Sequence, residues 1–351
     1  MDINYSPIFT TRNYGINSAK VDASVFCDKV FPFKNVNIEN GDRFLVKNKN
    51  DEKLLCMIGE EFDKQLRKNV NVNLKFCVDE NPKETIFIKF DFDQKNSTLV
   101  ENVNFEIEKN VQANIVVTFE GNCKSYHNGQ LQFDCGENSS VNVVVVCDMT
   151  ENSLNFLRFG GSVEKNAKLD LTIVDFGGQT DIHRFYAKLS GESAVSNLNS
   201  LYVASGKSFV DLNYEQDVFG KTCKADIQTI GALFGDARKH FKGTINFEKG
   251  CKKSVGCEDE LCLMLSKNAK SKALPMLLCT EEDVEGKHSS SVGKVDDKQL
   301  FYVMSRGFSF SEAQKLIVQA KFDCILKNIF NEKLRKELVE KIDRKLSYEE
   351  I

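Results

Sequence analysis

Between Leu99 and Cys279 the chain alternates apolar and polar residues in short runs separated by polar turns. Examples are NIVVTF (114–119), VNVVVVC (141–147), LDLTIVDF (169–176) and LNSLYVAS (198–205). A period of two sends successive side chains to opposite faces of a strand, so Leu169, Leu171 and Ile173 face inward against Asp170 and Thr172. Helical periodicity is nearly absent here. The turns repeat as well: Glu108-Lys109-Asn110, Gly136-Glu137-Asn138 and Glu164-Lys165-Asn166 each precede a run, with their asparagines 28 residues apart. The same step then reaches Ala194, Thr222 and Gly250. A fixed period of this size in a strand-rich chain marks a solenoid, whose coils bury their apolar sides against their neighbours. An antiparallel sandwich would instead turn every 8–12 residues without a long period. The pattern predicts a mainly β chain with parallel coils from about residue 99 to 290, and Asn110, Asn138 and Asn166 stacked at equivalent corners.

The flanks differ. Residues 1–95 read as a mixed α/β region, with a short helix over Glu61 to Val70 and strands over Val72 to Val78 and Thr85 to Phe92. Residues 96–295 hold the coils, and 296–351 form a helical domain. There, Ser309 and Glu312 make a capping box, and Ala313, Leu316, Ile317, Ala320 and Cys324 follow at helical spacing. From about Asn331 a second helix carries Leu334, Leu338, Ile342 and Leu346 on one stripe. Glu332/Lys336, Glu337/Lys341 and Glu340/Arg344 are favourably ordered i,i+4 pairs. The terminal helices and the N-terminal region are expected to cover the ends of the stack.

Composition narrows the function. Forty-seven basic against 51 acidic residues give a net charge of −4 without a lopsided block, so no nucleic-acid footprint or basic membrane patch is expected. No run of about 18 apolar residues is present, which excludes a transmembrane helix. The first fifteen residues, MDINYSPIFTTRNYG, lack a basic segment followed by an apolar one, so no secretory signal is expected. The 12 cysteines, with no CxxC pair, then read as reduced cytoplasmic thiols.

No nucleotide site is expected. Gly206-Lys207-Ser208 and Gly220-Lys221-Thr222 lack the earlier glycine of a phosphate-wrapping loop, Leu201 and Glu215 standing there, and turn chemistry accounts for both strings. No GxSxG or HExxH is present, and no catalytic residue is assigned. Asp181 and His183 share a strand face and read as an exposed or core polar pair. Cys251, Cys257, Cys262 and Cys279 lie in one coil-sized stretch leading to His288, and thiolate and imidazole are ligands for iron and zinc. Free cysteine is more often a small buried hydrophobe.

The stretch Asp283-Val284-Glu285-Gly286-Lys287-His288-Ser289-Ser290-Ser291-Val292-Gly293, followed by Asp297-Lys298-Gln299-Leu300-Phe301-Tyr302-Val303-Met304-Ser305-Arg306-Gly307, closely resembles the SufB/SufD family of iron–sulfur cluster assembly proteins. Phe241-Lys242-Gly243-Thr244-Ile245 and the segment from Leu263-Met264-Leu265 to Leu274-Pro275-Met276 match as well. The likeness covers about residues 220 to 325. Thr10-Thr11-Arg12 to Ile16-Asn17 match loosely. The resemblance implies a right-handed parallel β-helix with helical flanks. It implies C-terminal helices that dock the ABC-type ATPase SufC, and two core subunits paired through their β-helices with a nascent cluster between them. The chain would be a scaffold, not an enzyme. Ser289 follows His288 where the SufB type has glutamate, which places the chain nearer SufD, while Gly286 stands where many SufD proteins carry cysteine.

The expected function is thus a SufD-like subunit acting in the cytoplasm with SufC and a SufB-type partner. A transient iron–sulfur cluster would form at the interface, none being bound by this chain alone, with His288 the first candidate ligand. The alternative is a SufB-like homodimer working with SufC, in which Cys262 or Cys257 accepts sulfur. A β-helix polysaccharide-cleaving enzyme is a distant third, requiring carboxylates and bases clustered in a groove. SufC is expected to meet Leu300, Phe301, Tyr302, Arg306, Gly307, Leu316 and Ile317, with much of the stripe from Ala313 to Ala320 packed on the end of the β-helix.

Overall fold

The structure, a computed structural model, describes residues 1–9, 14–46 and 54–348; Thr10, Thr11 and Arg12 lie outside the described residues. β1 (Asp2–Ile3) and β2 (Ala19–Lys20) pair antiparallel. β3 (Val36–Glu39), β4 (Leu45–Val46) and α1 (Glu60–Lys68) follow. The coils open with β5 (Val72–Val78), β6 (Ile86–Phe92), β7 (Thr98–Ile107), β8 (Gln112–Gly121) and β9 (Tyr126–Cys135). They continue through β10 (Ser140–Asp148), β11 (Leu154–Val163), β12 (Lys168–Asp175), β13 (Thr180–Leu189) and β14 (Val195–Ala204). The last are β15 (Phe209–Val218), β16 (Lys224–Leu233), β17 (Arg238–Phe247), β18 (Ser254–Met264), β19 (Lys270–Cys279) and β20 (Val284–Gly293).

Even-numbered strands from β6 to β20 form one sheet and odd-numbered strands from β5 to β19 the other, each pairing parallel with the strand two places on. The result is a β-solenoid. Parallel pairing already holds at Val72, earlier than the polar corners indicate, because β5 and β6 follow the alternating pattern but lack the asparagine turn. Asn110, Asn138 and Asn166 stack as expected, with φ of 62°, 58° and 54°. Each donates its backbone N–H to the next coil at 2.9 Å, and Asn138 Nδ2 and Asn166 Nδ2 donate to the preceding asparagine's Oδ1 at 3.2 and 3.0 Å. Asparagine tolerates this left-handed backbone better than other side chains do. Farther on, the left-handed corners that bond to the next coil are Ser193, Thr222 and Lys253 rather than Ala194 and Gly250. Later coils vary in length, and a constant step slips. Gly206-Lys207-Ser208 and Gly220-Lys221-Thr222 both sit in turns between strands.

The inner faces of the two sheets make one apolar core, with Phe76, Phe105 and Phe133 stacked in register at centroid spacings of 4.5 and 5.3 Å. The outer faces are covered by the termini. On the odd sheet, Phe62 and Leu66 of α1 pack with Ile3, Val100, Phe156 and Ile182. Polar contacts pin this cover: Arg158 Nη2 donates to Asp63 Oδ1 at 2.5 Å, and Asn4 Nδ2 to Asp211 Oδ1 at 2.6 Å.

On the even sheet lie α2 (Asp297–Met304), α3 (Phe310–Leu326) and α4 (Glu332–Tyr348). They bury Val144, Val174, Leu201, Val203, Ile230 and Leu263 from outside. The helices therefore flank the solenoid instead of sealing its end. The expected α3 stripe is also shifted: Ala313, Val318, Phe322 and Ile325 are buried, whereas Leu316 and Ala320 are exposed. Two neighbouring stripes fit helical spacing there, and the valine-rich sheet selects the larger side chains. On α4, Leu338, Ile342 and Leu346 are buried as expected.

The solenoid's two ends differ. At its start, β3 and β4 reverse direction and pair antiparallel with β6 and β5, while Phe33 packs on Phe90 and Phe92. At its finish, β19 and β20 are sheet edges with one partner each among the described residues. Ala273, Leu277 and Val284, which pack on the core, are only partly covered there.

Candidate functional site

The site is this open end. On β18, Glu258, Glu260 and Cys262 point into the solenoid; Cys257 and Asp259 point out, as period two requires. β20 stands in register above them, Glu258 opposite His288, Glu260 opposite Ser290 and Cys262 opposite Val292. His288 is therefore part of the last strand rather than beyond the last coil. It is exposed on the row that continues the inner face. Ser290 Oγ donates to Glu260 Oε2 at 2.6 Å, fixing the orientation of that row.

Beneath it, Lys239 of β17 and Glu260 form an ion pair, each side chain fully enclosed. Such a pair is costly to desolvate and exposes a bare charge if one partner is removed. Among the described residues neither oxygen of the Glu258 carboxylate has a hydrogen-bond partner. Burial, then the neighbouring Glu260, raise its pKa to about 8. Gly243 of the opposite sheet makes the space for this carboxylate, since a Cβ there would lie 2.1 Å from Glu258 Oε1.

The two candidate cysteines are not brought together with His288. Cys262 lies on the same inner row but is fully buried, and burial raises its thiol pKa. Cys257 is exposed on the opposite face of the strand, in register with Lys287 and Asp226. Its thiol is also raised, by partial burial and then by Asp226 and Asp259. Glu258, Glu260 and Lys239 were missed in the sequence. The available signal was charge at every second position of an otherwise apolar inner row, Glu258 and Glu260 leading to Cys262.

A second surface lies on α2 and α3. Phe301 and Tyr302 are 75% and 60% exposed, whereas Leu300 is buried against the even sheet. Arg306 lies over the Tyr302 ring at 5.2 Å, and Gly307, at φ 98°, closes the turn between the helices. Leu316 is 41% exposed and Ile317 partly buried beside Tyr302. The expected contact set thus divides into an outward apolar face and an inward anchor.

Along the even sheet runs a polar groove of about 520 Å³ holding Asp170, Asp226 and Asp259. Asp170 is tied to Lys168 and Asn197, at 2.5 Å each. Asp181 and His183 are a core pair: both are buried.

Compared with known proteins, the chain matches the model of the SUF-system FeS cluster assembly SufBD core domain over residues 90–321. The iron-sulfur cluster assembly protein SufD of Bacillus subtilis is 28% identical over 212 residues, 60% of this chain and 48% of that protein. A SufBD family protein of Mycobacterium tuberculosis is 26% identical over 254 residues, 70% of this chain and 63% of that protein. SufD of Escherichia coli is 26% identical over 170 residues, 48% of this chain and 40% of that protein. The match spans less than two-thirds of the length of these relatives. Among the described residues no helix is long and apolar enough to cross a membrane.

Proposed function

The chain belongs to the SufBD core family of the SUF iron–sulfur cluster assembly system, and on that premise we propose that it acts as a SufD-like scaffold subunit in the cytoplasm. A SufB-type subunit pairs with it at the open end, a SufC-type ATPase docks on the exposed face of α2 and α3, and a nascent cluster is held at the junction. His288 supplies a ligand to that cargo, since neutral imidazole replaces thiolate at iron. The chain performs no ATP hydrolysis and holds no cluster alone.

The observation that carries this reading is the asymmetry of the solenoid. One end is closed by antiparallel strands, while the other leaves two strand edges, partly covered core residues and an exposed histidine together. Unpaired edges are templates for another chain. The SufB-like homodimer is less well supported: Cys262 is enclosed with its thiolate disfavoured, and Cys257 faces away from His288.

The test is co-expression with SufB-type and SufC-type proteins, followed by purification and quantification of iron and sulfide. All three chains should co-purify, and His288→Ala should lower iron and sulfide several-fold while the assembly persists. If the variant instead loses thermal stability and its cluster content tracks folded protein, His288 is structural. Two copies of this chain assembling with the ATPase without a SufB-type subunit would establish the homodimer, and failure to bind either protein would overturn the reading.

A further inference from the structure

Away from the open end, the core holds a second polar group that the cluster reading does not use. Asp175 ends β12, Asp181 and His183 begin β13, and the tight connection Phe176–Gln179 joins the two sheets at this corner. All three side chains are buried. One ligand atom from each lies within 4.8 Å of the other two, and Asp175 Oδ2 is 3.6 Å from His183 Nε2. A tetrahedral ion with bonds of about 2.1 Å spaces its ligands by about 3.4 Å, so this separation needs little adjustment.

The surrounding bonds orient these atoms. Gly177 N–H donates to Asp175 Oδ1 at 2.9 Å and Gly178 N–H to Asp181 Oδ2 at 2.6 Å. Those contacts leave Asp175 Oδ2 buried with no hydrogen-bond partner among the described residues. Asn155 Nδ2 approaches His183 Nε2 at 3.2 Å, which marks that nitrogen as the one with the lone pair. Asn155 Oδ1 in turn meets His127 Nδ1 at 2.8 Å. The cation whose charge reaches both aspartates, Lys345 of α4, donates to the Phe176 carbonyl oxygen at 2.8 Å and forms an ion pair with neither. Two enclosed carboxylates thus converge with an imidazole lone pair, and among the described residues no Lys or Arg forms an ion pair with either.

We propose that Asp175, Asp181 and His183 bind one divalent transition-metal cation, which ties the two sheets together at this corner. Two carboxylate oxygens and one imidazole nitrogen are a donor set for manganese, iron(II) or zinc rather than for copper(I), which is selected by thiolate and thioether. The turn amides of Gly177 and Gly178 act as the outer contacts that hold metal-binding carboxylates in place. Asn155 is the group that gives way when the ion enters. Because the site is enclosed, the ion loads as the chain folds and leaves slowly.

The experiment uses the full chain, expressed in separate cultures supplemented with manganese, iron or zinc, and analysed for metal after purification. About one equivalent of one of these ions should be found per chain. Asp175→Asn should lose that equivalent while His288→Ala keeps it, which separates this site from iron held at the open end. In wild type, a prolonged warm incubation with chelator should lower the melting temperature, and re-adding the lost metal should restore it. This second readout decides the matter if Asp175→Asn does not fold. Protein carrying less than a tenth of an equivalent from all three cultures overturns the site. So does a folded Asp175→Asn variant with undiminished metal.

Discussion

An L-residue held at positive φ costs about 1–2 kcal/mol unless its side chain compensates, and the corner asparagines compensate twice. Asn138, at φ 58°, bonds through its amide to Asn110 and accepts from Asn166. Asn138→Ala should therefore destabilise the fold by about 1–2 kcal/mol, and Asn138→Gly by less, because glycine removes the backbone strain. Urea denaturation of both variants checks this, and an alanine variant no worse than glycine would contradict it. Glu258 gives a pH effect of definite sign. Its pKa is 4.5 when exposed and about 8 in the folded chain, so the folded state binds more protons between those values. Its contribution to stability is greatest below pH 4.5 and is lost as the pH rises toward 8, at no more than about 1.4 kcal/mol per pH unit. Denaturation of wild type and Glu258→Gln across pH 5–8 should show the difference narrowing or reversing in the variant's favour as pH rises; a constant difference would refute it. The asparagines were legible because they recur. Glu258 was not, because its environment depends on Gly243 of the opposite sheet, and no local pattern shows that distance.

For single elements, α2 separates anchoring from display on adjacent residues. Leu300→Ala should cost about 2–5 kcal/mol, as for other buried leucines, and lower the melting temperature. Phe301→Asp should change stability by no more than about 0.5 kcal/mol but abolish co-purification with the ATPase. If Phe301→Asp binds normally, the contact lies elsewhere. Removing everything after Gly307 would be a poor test, because α3 and α4 cover Val144, Val174 and Leu201. The sequence revealed the capping box and the α4 stripe, and it placed α1 within a residue of its Glu60 start. It missed the shift on α3 because spacing alone does not say which of two adjacent stripes meets a sheet. The clue was in VNVVVVC (141–147): Val144 and Val146 occupy outward positions that would be polar on an exposed sheet, so that face had to be covered.

For the whole molecule, pairing at the open end should be separable from folding. Val292 is 44% exposed on β20; Val292→Lys should leave the melting temperature of the isolated chain nearly unchanged. It should also remove the second scaffold subunit from the co-expressed assembly, as read by sedimentation. Normal pairing in that variant would place the interface elsewhere. The start of the chain makes a different demand. Asn4 accepts through its carbonyl oxygen from Lys242 Nζ, 238 residues away, and reaches Asp211 through its amide. At about 5–20 residues per second, a ribosome needs roughly 10–50 s to synthesise that span. During that interval the N-terminal segment has no complete landing surface, and Phe156 and Ile182 emerge before their cover is secured at its far end. Repeats that contact only their neighbours can stack as they are made, but the contact of Asn4 with Lys242 closes only after that span is synthesised. The nascent chain therefore passes through a period in which it offers a chaperone more apolar surface than the finished fold does.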